Sequence, residues 1–161
     1  KRFLSLKKLR KNHKNIIKFY ESNLKLSKRF HSANFTESQQ FIKDNQYDIL
    51  VSGSDEIWAN KPGVEIPNIY YIPYGIKARK ISIAPSANRG DLPALSEKER
   101  SYIVQSLCDY DYISVRDRNT YDFITSLTDK KVSLTYDPTL GFEFEQVAHQ
   151  RIRKEKKVIK K

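Results

Sequence analysis

Apolar residues in the first 30 positions recur at helical spacing, on a background that is otherwise basic. Gly and Pro are absent from this stretch, so no residue in it is expected to interrupt a helix. The spacing predicts one or two basic amphipathic helices across residues 3–30. The apolar positions that carry this prediction are Leu6, Leu9, Ile16, Ile17, Tyr20 and Leu24.

Four short apolar runs farther along the chain have the length and composition of buried strands. They predict strands near residues 47–51, 81–84, 112–115 and 132–136. A further run, "NIYYIPYG", is typical of a short edge strand or an extended loop, because Pro73 cannot donate to a ladder inside a sheet.

Helical patterns with recognisable starts lie between and before these runs. Thr36 with Gln39, and Ser96 with Glu99, have the spacing of a capping box, and Asp117 has the position of a helix N-cap. The predicted helices run from Thr36 to about Asn45, over 96–108 and over 118–127.

The alternation of strand and helix indicates an α/β fold with a Rossmann-like parallel sheet flanked by helices. The predicted organisation is a basic helical segment at 1–35, a Rossmann-like α/β lobe at 36–145, and a basic tail or linker at 146–161. Within that tail, "KKVIKK" has the pattern of the beginning of a new strand.

The net charge of +11 is carried by the two ends of the chain, whereas the body between them is mildly acidic. Two interpretations stay open for the basic ends. They are solvated faces and tails, or they contact phosphates or an anionic lipid surface.

Composition narrows the class of protein further. The single cysteine, Cys108, excludes an internal disulfide and fits a reducing compartment. The three histidines, His13, His31 and His149, lack metal-ligand spacing. No apolar run has membrane length, and no signal peptide is visible. Because the chain contains no methionine, it is expected to be a piece of a longer protein.

Polar residues follow each predicted strand, at the ends where parallel α/β sheets bind ligands. They are Gly53, Ser54, Asp55, Ser86, Asn88, Arg116, Asp117, Asp137 and Thr139. Four strand ends would therefore deliver polar groups to one edge of the sheet.

Each of these residues also has a purely structural interpretation. Gly53 fits a tight turn with positive φ, Asp117 a helix cap, and Asp137 a turn before a proline. Trp58 is typical either of a core lid or of a ligand platform. The chain has no serine nucleophile elbow, no GxGxxG and no P-loop, so the residues alone identify no catalytic group.

The order of four segments along the chain supports a more specific prediction than any single residue does. "YDILVSGSDEIW", "KISIAPSAN", "YISVRDRNTYDFI" and "VSLTYDPTL" together resemble the polysaccharide pyruvyl transferase family, over about residues 47–141. Here "APS" stands where that family more often has "AAS", and Asp117 stands where it has Glu.

The resemblance implies a two-lobed, GT-B-like transferase, of which this chain is the middle of the first lobe. It implies transfer of a pyruvyl group from phosphoenolpyruvate to a sugar hydroxyl of a surface polysaccharide, with no cofactor and no metal. The substrate-binding residues expected on this basis are Gly53, Ser54, Asp55, Trp58, Ser86, Arg116 and Asp137. Family members have further segments on both sides, so the 161-residue chain alone is expected to be inactive.

The partners expected from the resemblance are phosphoenolpyruvate and a glycan or lipid-linked sugar acceptor. The basic ends favour an anionic membrane surface, nucleic acid is not expected, and an unpaired sheet edge favours self-association. The expected location is the cytoplasm, at the inner face of the membrane. Two alternatives stay open: a nucleotide-sugar-dependent glycosyltransferase lobe, and a non-catalytic module that binds glycans or anions.

Overall fold

The computed structural model describes residues 2–59, 65–88 and 95–141, with side chains from residue 12 onward. The chain divides into two compact units between Ala33 and Asn34. The first contains helix α1, Arg2–Asn23. This helix is shorter than the predicted 3–30. At its last residue, the Asn23 side chain donates a hydrogen bond of 2.7 Å to the Phe19 carbonyl one turn back.

The second unit alternates strands and helices. Its elements are α2 (Phe35–Asp44), β1 (Ile49–Asp55), β2 (Arg79–Pro85), α3 (Glu97–Cys108), β3 (Ile113–Val115), α4 (Arg118–Thr125) and β4 (Val132–Leu134), with 3-10 turns at Ile69–Tyr71 and Pro138–Gly141. The mixed α/β class predicted from the sequence is confirmed.

The strands pair in parallel, as predicted. β1 lies beside β2 in a register that joins Val51 to Ile81, and β3 lies beside β4 in a register that joins Ile113 to Val132. A single parallel bridge from Ile81 to Tyr112 links the two pairs. The strands therefore lie side by side in chain order, and their carboxyl ends point to one edge.

Two buried serines join β2 to β3 where the ordinary ladder is short. Ser82 Oγ donates to the Ser114 carbonyl at 2.9 Å, and Ser114 Oγ donates to the Ser82 carbonyl at 2.7 Å. The Ser114 amide also donates to Ser82 Oγ at 2.9 Å. Both hydroxyls are thus satisfied inside the sheet, and they hold the central strands together.

Helices α3 and α4 start as their sequences predict. The Ser96–Glu99 capping box is formed at α3, and the Asp117 carboxylate accepts from the Thr120 amide at 2.8 Å to cap α4. The cap predicted for α2 is wrong. Asn34, rather than Thr36, is the N-cap and accepts from the Glu37 amide at 3.1 Å.

Of the two alternatives for the segment "NIYYIPYG", the edge strand is wrong and the loop is closer to what is observed. It contains a 3-10 turn over Ile69–Tyr71 instead of an edge strand, because the Asn68 side chain accepts from the Tyr70 amide at 3.1 Å and starts a turn. Tyr71 is buried as a result.

The core lies between the strands, α3, α4 and the aromatic residues that follow β1. Its fully buried members include Trp58, Tyr71, Ile103, Leu107, Val115 and Ile124. On β1 and β2, Ile49, Val51 and Ile83 are exposed instead. Within the part of the chain that the structure describes, no helix has the length and apolar character needed to cross a bilayer. The predicted tail at 146–161 lies outside the described residues.

Candidate functional site

Three of the predicted residues meet at the carboxyl edge of the sheet. Asp55 ends β1, Arg116 follows β3 and Asp137 follows β4. One guanidinium nitrogen of Arg116 donates to Asp137 Oδ2 at 2.7 Å, and another donates to Asp55 Oδ1 at 3.2 Å. We call these three residues the carboxylate–arginine cluster. Residues 82 positions apart in the chain meet here because parallel strands end at a common edge.

The charges of the cluster stabilise one another. Burial alone would lower the pKa of Arg116, but its bonds to Asp137 and Asp55 outweigh burial and raise it. Hydrogen bonds from the Thr139 amide and hydroxyl, followed by the bond from Arg116, lower the pKa of Asp137. Asp137 therefore stays ionised, and its carboxylate is a weak base.

Asp55 is the most open member of the cluster. Its side chain is 81% exposed, against 24% for Arg116 and 27% for Asp137. Most of the Asp55 side chain therefore faces solvent, although its carboxylate contacts Arg116.

Gly53 is required by the approach of β1 to β2. Its φ is +130°, and a Cβ atom there would lie 2.0 Å from the carbonyl oxygen of Ile83. Ser54, beside it, is half-buried. The positive φ predicted for Gly53 is confirmed, but the predicted tight turn is wrong, because Gly53 lies within β1 and is paired with Ile83 of β2.

Ser86 lies under the surface of the edge. Its amide donates to the Asp55 carbonyl at 2.8 Å, and its hydroxyl accepts from the Asn88 amide at 3.0 Å. Ser86 is buried, so it lies beneath the edge and not on its surface. Ser86 instead connects the segments that follow β1 and β2.

Asp117 also supports the edge from beneath. Burial would raise its pKa, but hydrogen bonds from the Thr120 amide, Ser86 and the Thr120 hydroxyl, together with the charge of Arg116, lower it. The same Thr120 hydroxyl accepts from the Ala87 amide at 2.7 Å. The α4 cap is thereby linked to the segment after β2.

Trp58 belongs to the core. Its side chain is 1% exposed and stacks on Tyr71, with ring centroids 5.3 Å apart and an interplanar angle of 7°. The indole nitrogen donates to the Tyr70 carbonyl at 3.0 Å. Of the two interpretations, the core lid is therefore the one observed, and the ring supports the "GSDEIW" segment from below.

The substrate-binding residues predicted from the sequence do not include Glu56 and Asn88, whose side chains form a pair. The Asn88 side chain donates to the Glu56 carboxylate. Asn88 has φ +63° and Asp55 has φ +80°, so backbone in the left-handed region is found in both segments. The only signal in the sequence is that both residues follow strand ends.

Two clefts lie at the opposite, amino edge of the sheet. The larger of the two, of about 950 Å³, is lined by residues that include Asp48, Gly75, Lys80, Asp109 and Asp111. The other, of about 510 Å³, is also lined by Asp109 and Asp111. None of the carboxylate–arginine cluster lines either cleft. We favour the cluster as the site, since Lys80 is 1% exposed and bonded to Asp109 and the backbone, whereas Asp55 in the cluster is largely exposed.

The described ranges, 2–59, 65–88 and 95–141, contain no group of three His, Cys, Asp or Glu side chains arranged to hold a metal ion. The role of the predicted residues in substrate binding stays a prediction.

Comparison with known proteins gives one match. The family model described as polysaccharide pyruvyl transferase matches residues 2–160, nearly the whole chain. No curated protein and no solved structure matches it.

Proposed function

The chain belongs to the polysaccharide pyruvyl transferase family, and from this premise we propose that it acts in the transfer of a pyruvyl group from phosphoenolpyruvate to a sugar of a surface polysaccharide. The observation that carries the proposal is the family match over residues 2–160. The convergence of Asp55, Arg116 and Asp137 at one sheet edge supports it, because that edge is where parallel α/β sheets bind ligands.

The proposed reaction is balanced without an oxidant or a reductant. The methylene carbon of phosphoenolpyruvate takes up one proton and becomes a methyl group. Two hydroxyl oxygens of the sugar form bonds to the former enol carbon, and the bond from that carbon to the phosphate oxygen breaks. Inorganic phosphate leaves with the second hydroxyl proton, and the sugar carries a pyruvate ketal.

We propose that the parallel sheet is one Rossmann-like lobe of a two-lobed, GT-B-like enzyme, and that a second lobe faces its carboxyl edge. Two features of the edge support this. Asp55 is open to solvent there, and the adjoining residues Tyr136 and Leu140 are exposed as well. Closure of a second lobe would exclude water and strengthen polar contacts at the cluster.

We also propose that helix α1 lies on an anionic membrane surface, in the cytoplasm and close to lipid-linked acceptors. Lys14 and Lys18 are exposed four positions apart, which places them on one side of the helix. Ile16 and Tyr20 are exposed on the other side. A helix with one basic and one apolar side suits the boundary between lipid headgroups and acyl chains.

Vesicle sedimentation tests the membrane contact. The protein should sediment with vesicles of phosphatidylglycerol and phosphatidylcholine and remain in solution with phosphatidylcholine alone. Each lysine near such a surface contributes about 1 kcal/mol, so exchange of Lys14 and Lys18 for Gln should weaken binding roughly thirtyfold. Equal binding to both kinds of vesicle would contradict the proposal.

The catalytic proposal is tested by incubating the complete enzyme, with the proposed second lobe, with phosphoenolpyruvate and an acceptor glycan. Phosphorus NMR should detect inorganic phosphate, and mass spectrometry should detect acceptor carrying ketal-linked pyruvate. Phosphate release without acceptor modification would indicate hydrolysis only. Transfer from a nucleotide sugar, with no reaction of phosphoenolpyruvate, would favour the glycosyltransferase alternative instead.

A further inference from the structure

Arg116 is the only positive group of the carboxylate–arginine cluster, and its charge is already balanced by two carboxylates. It donates from two different nitrogens to Asp137 and Asp55, at 2.7 Å and 3.2 Å. An anionic ligand that approached the remaining N–H groups of Arg116 would be repelled by both carboxylates. The raised pKa of Arg116 agrees with a cation that is well satisfied where it is.

The groups that the cluster offers outward are hydrogen-bond acceptors. The Asp55 carboxylate is largely exposed, and the Asp137 carboxylate is held ionised by Thr139 and Arg116. Ionised carboxylates accept hydrogen bonds and donate none, so they suit hydroxyl groups and repel phosphate. Sugar hydroxyls have the matching chemistry.

An exposed aromatic residue lies next to the cluster in the chain. Tyr136 directly precedes Asp137 and is 85% exposed, an unusual fraction for so large a side chain. The backbone on either side is held in place. The Thr135 amide donates to the Val115 carbonyl at 2.8 Å, and the Leu140 amide donates to the Asp137 carbonyl at 3.0 Å. The ring thus stands on an anchored segment rather than on a free end.

We propose, on the premise of the function proposed above, that this edge binds the acceptor sugar rather than the donor. Asp55 and Asp137 accept hydrogen bonds from the sugar hydroxyls, Arg116 positions both carboxylates, and the Tyr136 ring packs against the C–H face of the sugar. The phosphate and carboxylate of phosphoenolpyruvate bind elsewhere in the enzyme.

Separate binding measurements for the two substrates test this assignment. Saturation-transfer NMR with methyl β-galactoside, methyl β-glucoside and methyl α-mannoside reports sugar binding, and calorimetry reports phosphoenolpyruvate binding. Tyr136→Ala should weaken glycoside binding by about threefold to tenfold, the range expected for loss of an aromatic contact. Tyr136→Phe keeps the ring and should restore most of the binding that is lost in Tyr136→Ala. Tyr112→Ala, which removes an exposed ring at the start of β3, should have no effect.

The outcomes separate this inference from the proposed function. Glycoside binding that depends on Tyr136, without pyruvyl transfer by the complete enzyme, would support the sugar site and count against the transferase proposal. Pyruvyl transfer with an acceptor KM that is unchanged in Tyr136→Ala would overturn the sugar site alone. Failure of all three glycosides to bind, or equal loss of phosphoenolpyruvate binding in Tyr136→Ala, would also overturn it.

Discussion

The two edges of the sheet each contain a cation paired with aspartate, but the pairs differ in burial. At the amino edge, Lys80 is 1% exposed, and its ammonium donates to Asp109 Oδ2 at 2.8 Å and to the Pro73 carbonyl at 3.0 Å. At the carboxyl edge, Arg116 lies closer to solvent and Asp55 is largely open. The same kind of charge pair is therefore buried within the fold at the amino edge and accessible to solvent at the carboxyl edge.

This difference indicates that the charged residues important for stability and those important for ligand binding lie at different edges of the sheet. A buried cation that loses its partners leaves a costly unpaired group, whereas an exposed pair contributes little to stability because water replaces the lost contact. Changes at the amino edge should therefore alter the free energy of unfolding, and changes at the carboxyl edge should alter ligand binding and turnover.

The largest loss of stability is expected from substitution of a glycine at the carboxyl edge. Gly53→Ala should destabilise the protein by roughly 3 kcal/mol or more, because the new Cβ would meet the Ile83 carbonyl and the residue would be held at positive φ. Gly75→Ala is the matched control at the amino edge. Gly75 has φ +72° with open space around it, so only about 1 kcal/mol is expected. Urea unfolding measures both, and equal costs would contradict the prediction.

Removal of the buried cation should have the next largest effect. Lys80→Ala should cost about 2–4 kcal/mol, since it deletes two hydrogen bonds and leaves a cavity. Lys77→Ala, an exposed neighbour in the chain, should change stability by less than about 0.5 kcal/mol. If urea unfolding gives the same midpoint for Lys80→Ala and Lys77→Ala, the buried pair at the amino edge does not stabilise the fold.

Low pH should remove the stability that the Lys80–Asp109 pair contributes. Burial alone would raise the pKa of Asp109, but hydrogen bonds from Lys80 and the Gly75 amide outweigh burial and hold it below its ordinary value of 3.8. The stability from this shift is complete above that value and is lost as the pH falls through the folded pKa. The stability difference between wild type and Lys80→Met should therefore shrink as the pH is lowered below about 4. A difference that stays constant across this range would contradict the assignment.

The smallest effect on stability is expected from Arg116→Ala. The pair is partly exposed, so the cost should stay under about 1 kcal/mol. In the complete enzyme, turnover should nevertheless fall by about tenfold to a hundredfold, because Asp55 and Asp137 lose the group that positions them. Arg118→Ala removes a more exposed arginine two positions away and serves as the control. Full turnover in Arg116→Ala would make its role structural or absent.

Local patterns in the sequence were sufficient for the elements whose signals lie within a few residues. The Ser96–Glu99 box and the Asp117 cap predicted the starts of α3 and α4, and both act through backbone amides three positions away. The α2 cap was misassigned by two residues because Asn34 and Thr36 are both good caps, and local chemistry alone does not rank them here. The family was also predicted from the order of short segments.

Tertiary structure decided everything that depends on residues far apart in the chain. Asp55 reaches Arg116 across 61 positions, and the Ser82 hydroxyl reaches Ser114 across 32, only because the strands adopt one order and one register. The same packing made Trp58 a core residue and buried Lys80, whose side chain alone predicts an exposed position. Periodicity and capping depend on neighbouring residues and can be predicted from sequence. Burial and charge pairing depend on which surfaces meet, and that is set by how the strands and helices pack.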